Sequence, residues 1–362
     1  MKRIVSVGIA VAVAAFFPLI APAESAGVAD AKVIYGADDR VDWYEVADPE
    51  LRAVASSVCI LVERFRLTNN GDGTFTGDFS DFRPGGLMPC PTEPFNDQPV
   101  LGFCSGFLVD DDVIATAAHC YSSFDLNQVW FVFGFHMNAP GDSTQVFDSS
   151  QVYRGVEILG RELRSTHERG VEDWAVIRLD RPVVAPGAFP LPIRETGSVS
   201  VGEPVGIIGH PSGLPKKIAF GVNTSVRANF NPGFFEANLD AYGGNSGSPI
   251  INQDTLVVEG ILVRGQPDFV QNGDCAVSNR LSDFSGENGQ WEEATKTSLF
   301  APLIVPIPGD INKDGHADAA DVQIVINAAL GILDDEGADL DENGRVSAVD
   351  IQLIINFALG LS

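Results

Sequence analysis

Between residues 54 and 300 the chain alternates short apolar runs with clusters of Gly, Pro, Asn and Asp. Residues 58–62, 106–109, 113–117, 129–133, 174–179, 205–208 and 256–263 read as strands, and few segments between them hold a helical period. Regular short strands with turn signals predict an all-β barrel or sandwich. A Pro-rich stretch from 182 to 192 reads as the connection between two halves. The pattern then changes. Pro302, Pro306 and Pro308 mark a stiff linker over 301–309, and after it the chain repeats itself at an offset of 29 residues. Val322, Val325, Ile326, Ala329 and Leu330 recur as Ile351, Ile354, Ile355, Ala358 and Leu359, the spacing of one helical face.

The length of 362 residues allows about two domains at roughly 150 residues each. The amino terminus reads as a secretory signal over residues 1–23. Lys2 and Arg3 form a basic head, residues 4–20 are apolar, and Ala21-Pro22-Ala23 offers a small-residue cleavage site. A membrane anchor is the competing reading, but Pro18 interrupts the run. No later segment is apolar for long enough to span a bilayer. Residues 24–50 form an N-terminal segment of open fate, ahead of a main domain over 51–300. Net charge is -26, and losing Lys2 and Arg3 with the signal moves it to -28. That excess of carboxylate disfavours nucleic acid and anionic membranes as partners. A secreted protein, extracellular or periplasmic, is expected.

Three distant stretches carry candidate chemistry: Thr116-Ala117-Ala118-His119-Cys120, Glu172-Asp173-Trp174-Ala175-Val176-Ile177, and Gly243-Gly244-Asn245-Ser246-Gly247-Ser248-Pro249. A serine hydroxyl becomes a nucleophile when a base takes its proton, and imidazole suits that task near neutral pH. Of the five histidines, only His119 ends a run of small and apolar residues in His-Cys. Asp173 precedes an apolar strand and can be held in the interior, facing the imidazole. Asp180, its rival, leads Arg181-Pro182 toward the connection. Glycines around Ser246 allow the amides of Gly244 and Ser246 to converge on a developing oxyanion.

With these residues in place, 33–300 resembles the trypsin/chymotrypsin superfamily of serine peptidases, nearest to the bacterial branch that includes glutamyl endopeptidases. The resemblance implies a mainly β fold, a double six-stranded β-barrel with the site between barrels, and hydrolysis of protein or peptide substrates without a cofactor for catalysis. It assigns His119 as general base, Asp173 as its orienter, Ser246 as nucleophile, and Gly244 with Ser246 as the oxyanion hole. It implies a Cys104–Cys120 disulfide and leaves Cys59, Cys90 and Cys275 without an assigned pairing. The strand through Val263 and Gly265 would pair with substrate. Asp240, six residues before Ser246, occupies the register where trypsin carries the acid that selects Lys and Arg. Some glutamyl endopeptidases also have an acid there, and their glutamate-reading His falls near Leu262 here, so the preferred cleavage residue stays open.

The tail repeats also carry chemistry. A twelve-residue loop can offer calcium its oxygens from positions one, three, five, seven, nine and twelve. Asp310, Asn312, Asp314, the His316 carbonyl, Asp318 and Asp321 fill the first set. Asp339, Asp341, Asn343, the Arg345 carbonyl, Ser347 and Asp350 fill the second. Two Ca2+ ions are expected, with Gly315 and Gly344 at the sharp turns. Paired loop-plus-helix repeats closing on Asp look like a type I dockerin over 310–362, whose partner in that family is a cohesin domain. Ala319-Ala320 and Ala348-Val349 stand where cellulosomal dockerins often carry hydroxyl residues, so a cellulosome is not implied. The reading is an exported serine endopeptidase with a calcium-dependent docking module. Its rivals are an inactive binding scaffold on the same fold and an esterase using the same triad.

Overall fold

The structure is a computed structural model that describes residues 33–121, 126–163, 172–283, 291–304, 308–312, 317–333, 335–341 and 343–361. The expected signal at 1–23, together with His167, Pro306, Asp314, Gly315 and His316, lies outside the described residues.

The strands fall in chain order as β1 (Ile34–Tyr35), β2 (Arg40–Asp42), β3 (Val58–Glu63), β4 (Cys104–Asp110), β5 (Val113–Thr116), β6 (Val129–Phe133), β7 (Val152–Leu163) and β8 (Asp173–Leu179), then β9 (Val205–Gly209), β10 (Lys217–Ala219), β11 (Val226–Ala228), β12 (Phe234–Ala237), β13 (Pro249–Asn252), β14 (Val258–Arg264), β15 (Arg280–Leu281) and β16 (Glu292–Lys296). Short hairpin strands between residues 67 and 148 decorate this frame.

The first half closes a six-stranded barrel in the order β5-β8-β7-β6-β3-β4. Fully buried Leu61, Phe107, Ile114, Phe131, Val176 and Ile177 fill it. Each such side chain stabilises by about 1.5–3 kcal/mol relative to exposure. The second half is an eight-stranded sheet, β11-β12-β16-β14-β13-β9-β10-β2. A bridge between Pro204 and Ser225 joins the start of β9 to the edge of β11, which closes six of those strands into a second barrel. β10 and β2 extend beyond the closure. The connection from Asp180 to Pro204 holds no long strand, as its prolines predict.

Two boundaries differ from expectation. The barrel unit begins before residue 51: β1 pairs parallel with β15, and β2 pairs with β10. It also runs past 300, because Phe300 and Ala301 are buried in the main core and Ile304 packs against it. Helix α1 (Pro49–Ser56) was not predicted, although Asp48 caps it through the Glu50 and Leu51 N–H groups and Pro49 starts it.

In the tail, helices α2 (Ala319–Ala329) and α3 (Ala348–Ala358) follow the two loops and pack on each other around buried Val325, Ala338 and Ile354. Both start in the same way, with Asp318 and Ser347 in reciprocal capping boxes with Asp321 and Asp350.

Candidate active site

Strand pairing brings the first two candidate residues together. Thr116, the last residue of β5, lies opposite Ala175 of β8, so Asp173 at the head of β8 stands beside the turn Ala118–Tyr121 that carries His119. The His119 backbone N–H donates to Asp173 Oδ1 at 3.1 Å, and its ring Nδ1 lies 2.6 Å from Oδ2. Asp173 is buried at 5 % exposure, and the Thr295 hydroxyl donates to its carbonyl at 3.2 Å. Burial pushes its carboxyl pKa up, but the hydrogen bond from the His119 ring, the His119 charge and the His119 N–H outweigh that and hold it below the usual carboxylate value. Asp180 lies elsewhere, paired with Arg154 and Arg181.

The serine turn is built from the second half and tied to the first. The Ser105 N–H donates to the Ser246 carbonyl at 2.8 Å, and the Ser105 hydroxyl donates to the Gly244 carbonyl at 2.9 Å. Within the turn, Asn245 N–H donates to Tyr242 O and Ser248 N–H to Asn245 O. Gly247 N–H donates to Leu262 O and Leu262 N–H donates to Ser248 O, which fastens the turn to β14. Gly244 takes φ +92°, and a Cβ there would lie 2.7 Å from the His210 carbonyl. Gly247 takes φ +88°, and its Cβ would meet the Ser105 carbonyl at 1.9 Å. Neither position admits another residue without moving the backbone.

The Cys104–Cys120 disulfide is present and sits against the turn, with Cys120 Sγ 3.8 Å from the Ser246 carbonyl oxygen. A second bridge joins Cys90 to Cys275, pinning the 67–100 hairpins to the second half. Cys59 is the free thiol among the described residues, and burial pushes its pKa up to about 12. The sequence held no signal for the second pairing, because 185 residues separate its partners.

Val263 is buried at the end of β14 and Gly265 follows it. Asp240 is 3 % exposed, and its two oxygens accept the Tyr35 N–H and the Asp39 N–H, each at 2.7 Å. Burial, weakly opposed by those bonds, raises its pKa to about 7. The groups that hold Asp240 come from residues 33–39, within the N-terminal segment 24–50.

In the tail, one carboxylate oxygen from each of Asp339, Asp341 and Asp350 lies within 4.8 Å of the others. Asp350 also accepts the N–H groups of Leu340, Asp341 and Ser347, and Asp321 accepts those of Ile311, Asn312 and Asp318. The two loops therefore close by the same device. Asp310, Asn312, Asp318, Asn343, Arg345 and Ser347 stand in the same loops, while Asp314 and His316 fall outside the described residues.

Two antiparallel barrels meeting at a His–Asp pair and a glycine-framed serine turn define a trypsin-like serine protease fold. The comparisons agree with that class and extend it. A family model described as a trypsin-like peptidase domain matches residues 104–261, and one described as a dockerin type I domain matches residues 308–359. The chain thus carries a trypsin-like peptidase domain joined to a dockerin type I domain. Snake venom serine protease BPA from Bothrops jararaca is 24% identical over 216 residues, covering 53% of this chain and 78% of that protein. A solved Glu endopeptidase in complex with MPD aligns at 16% identity with a TM-score of 0.44, over 75% of this chain and 97% of that one. Human heparin binding protein aligns at 14% identity with a TM-score of 0.43, over 76% and 97%.

Proposed function

We propose that this protein is a secreted serine endopeptidase that cleaves peptide bonds with the triad His119, Asp173 and Ser246, and that its tail is a calcium-dependent docking module. The observation that carries the first part is the 2.6 Å contact between His119 Nδ1 and the buried Asp173 carboxylate, beside a serine turn in which Gly244 and Gly247 leave no room for a side chain.

With its Nδ1 proton held by Asp173, the neutral imidazole presents Nε2 as the base. It takes the Ser246 hydroxyl proton as Oγ attacks the scissile carbonyl, then returns that proton to the leaving amine. Asp173 stabilises the imidazolium formed between these steps. The N–H groups of Gly244 and Ser246 receive the oxyanion. Water repeats the sequence to release the acid product. Val263 and Gly265 offer backbone to the substrate chain. Acyl transfer by this route uses the triad, the oxyanion N–H groups and one water, and peptides are favoured over simple esters by the trypsin-like peptidase match.

In the tail, the three converging carboxylates fit a hard cation, which prefers oxygen donors. Asp339, Asp341, Asn343, the Arg345 carbonyl, Ser347 and Asp350 would hold one Ca2+. Asp310, Asn312, Asp314, the His316 carbonyl, Asp318 and Asp321 would hold the other. Calcium held there would cancel carboxylate repulsion among these residues. A cohesin-like protein is the partner this module suits. Export is supported by the 1–23 leader pattern and by the two disulfides.

Incubation of the purified mature protein with a fluorophosphonate and a mixed peptide library tests the proposal. Labelling of Ser246 and accumulation of cleaved peptides are expected. Cleavage that persists undiminished in Ser246→Ala would refute it.

A further inference from the structure

We infer that the seam between the two halves holds a binding site for a small aromatic carboxylate, with the Lys216 ammonium as the group that takes the anion. The inference does not depend on Ser246 being the nucleophile.

Lys216 directly precedes β10 and is 1 % exposed. Its Nζ donates to the Ala55 carbonyl in the last turn of α1, at 2.5 Å. A cation suits a helix C-terminus, but an ammonium has three N–H donors to satisfy. Among the described residues no carboxylate stands against this one. Lys217, also buried, shows the contrast. Its Nζ donates to Asp42 Oδ1, Gln98 Oε1 and the Pro215 carbonyl, at 2.5, 2.6 and 2.9 Å. Buried charges are ordinarily paired, and the described residues supply Lys216 with no anion.

A cavity of about 200 Å³ lies against Lys216. Phe133, Ala185 and Lys216 are its buried residues, and Trp43, Ser56, His136 and Gln151 stand around them, partly exposed. Both halves contribute, since β6 ends at Phe133 and Lys216 leads into β10. The Nζ acceptor, Ala55, is the chain neighbour of Ser56 in the cavity wall, and the Lys216 charge acts on the His136 ring. The amine therefore sits at the cavity's edge. The walls suit a flat ring. Trp43 and His136 stack with centroids 4.4 Å apart, and Phe133 adds a third aromatic face. Gly134 takes φ +78°, and a Cβ there would lie 2.2 Å from Gln151 Nε2, so the glycine makes room for that amide. Gln151 Nε2 donates to the Phe133 carbonyl at 3.4 Å and carries a second N–H. An apolar cavity of roughly 150 Å³ accepts benzene, so this one accommodates a ring bearing a carboxylate.

Besides Lys217 and its partner Asp42, the titratable groups around Lys216 are Cys59 of β3, His136 and His210. Burial pushes the Cys59 thiol up to about 12 and the His136 ring down to about 4, and it holds His210 well below the usual imidazole value. All three are uncharged near neutral pH. Burial brings Lys216 down to about 7, so its amine holds the proton below that pH and loses it above. A carboxylate should therefore bind best on the acid side of neutrality.

The test titrates the mature full chain calorimetrically with benzoate, acetate and benzyl alcohol near pH 6. Benzoate should saturate one site per chain and bind about tenfold or more tighter than either comparison compound, the scale of a hydrogen bond to a charged group. Its affinity should fall by about tenfold per pH unit well above neutrality, because each ligand bound then requires one proton. Lys216→Met should remove the advantage of benzoate over benzyl alcohol. Absence of saturable benzoate binding, equal binding of acetate or benzyl alcohol, or an affinity indifferent to pH overturns the inference. Those wild-type arms decide the matter even if the variant does not fold. Benzoate binding that is unchanged in folded Lys216→Met would place the carboxylate elsewhere and overturn it equally.

Discussion

The barrels and the tail reach a folded state by different means. The barrels bury a continuous core that runs from Val58 and Phe107 in the first half to Ile251 and Ile261 in the second. The tail buries Val325, Ala338 and Ile354, with a ring of half-buried apolar residues around them. Residues 309–362 also carry eleven acidic and two basic groups, a net of -9. A unit of that size has little core to offset its chain entropy. On the proposed function, catalysis sits where packing fixes geometry, and docking where stability can depend on an ion.

The largest expected effect lies in the barrels. Ser246→Ala should lower turnover by roughly a million-fold, the scale of losing a triad nucleophile. Asp173→Asn should cost about ten-thousand-fold while leaving the fold intact, because the imidazole would be held in the wrong tautomer. Steady-state hydrolysis measures both. If Asp180→Asn produced the larger loss, the carboxylate would be misassigned.

Calcium removal should divide the molecule. Chelation should unfold the tail, since metal binding there would act as folding free energy. Peptidase activity should change little. Circular dichroism for helix content and a peptide assay on the same samples read both halves. Helix signal that survives chelation would contradict the account of the tail, and lost activity would show that the two units are not independent.

A smaller effect tests the tie between barrel and site. Replacing Cys104 and Cys120 by Ser opens a loop with a sequence separation of 16 residues, worth about 3 kcal/mol in the chain-entropy model. Denaturant midpoints should fall accordingly, with the tail unaffected.

A further test of the barrels concerns pH. Burial lowers the pKa of Lys216 from 10.5 to about 7. Between those values the unfolded chain binds a proton that the folded barrel does not, so this group makes stability rise with pH across that window. The slope is at most about 1.4 kcal/mol per pH unit. Lys216→Met should flatten it in denaturation curves taken from pH 7 to 10. An identical slope in the variant would show that other groups carry the dependence.

Much of this was legible in the sequence because periodicity and motif coincide. Apolar alternation marked the barrel strands, and His119, Asp173 and Ser246 each sat at a strand end or glycine turn. The 29-residue repeat marked the tail with its helices. What stayed hidden depends on distant partners. Val33 to Asp42 lies in the segment of open fate, yet its backbone is held by Asp240, β15 and β10. The Cys90–Cys275 bridge has no local signature.

The most direct test of the central claim is mass spectrometry of the intact mature protein after fluorophosphonate treatment, with calcium and with chelator. The account predicts one adduct per chain, on Ser246, formed at the same rate in both conditions. No adduct, or an adduct on another residue, would contradict it.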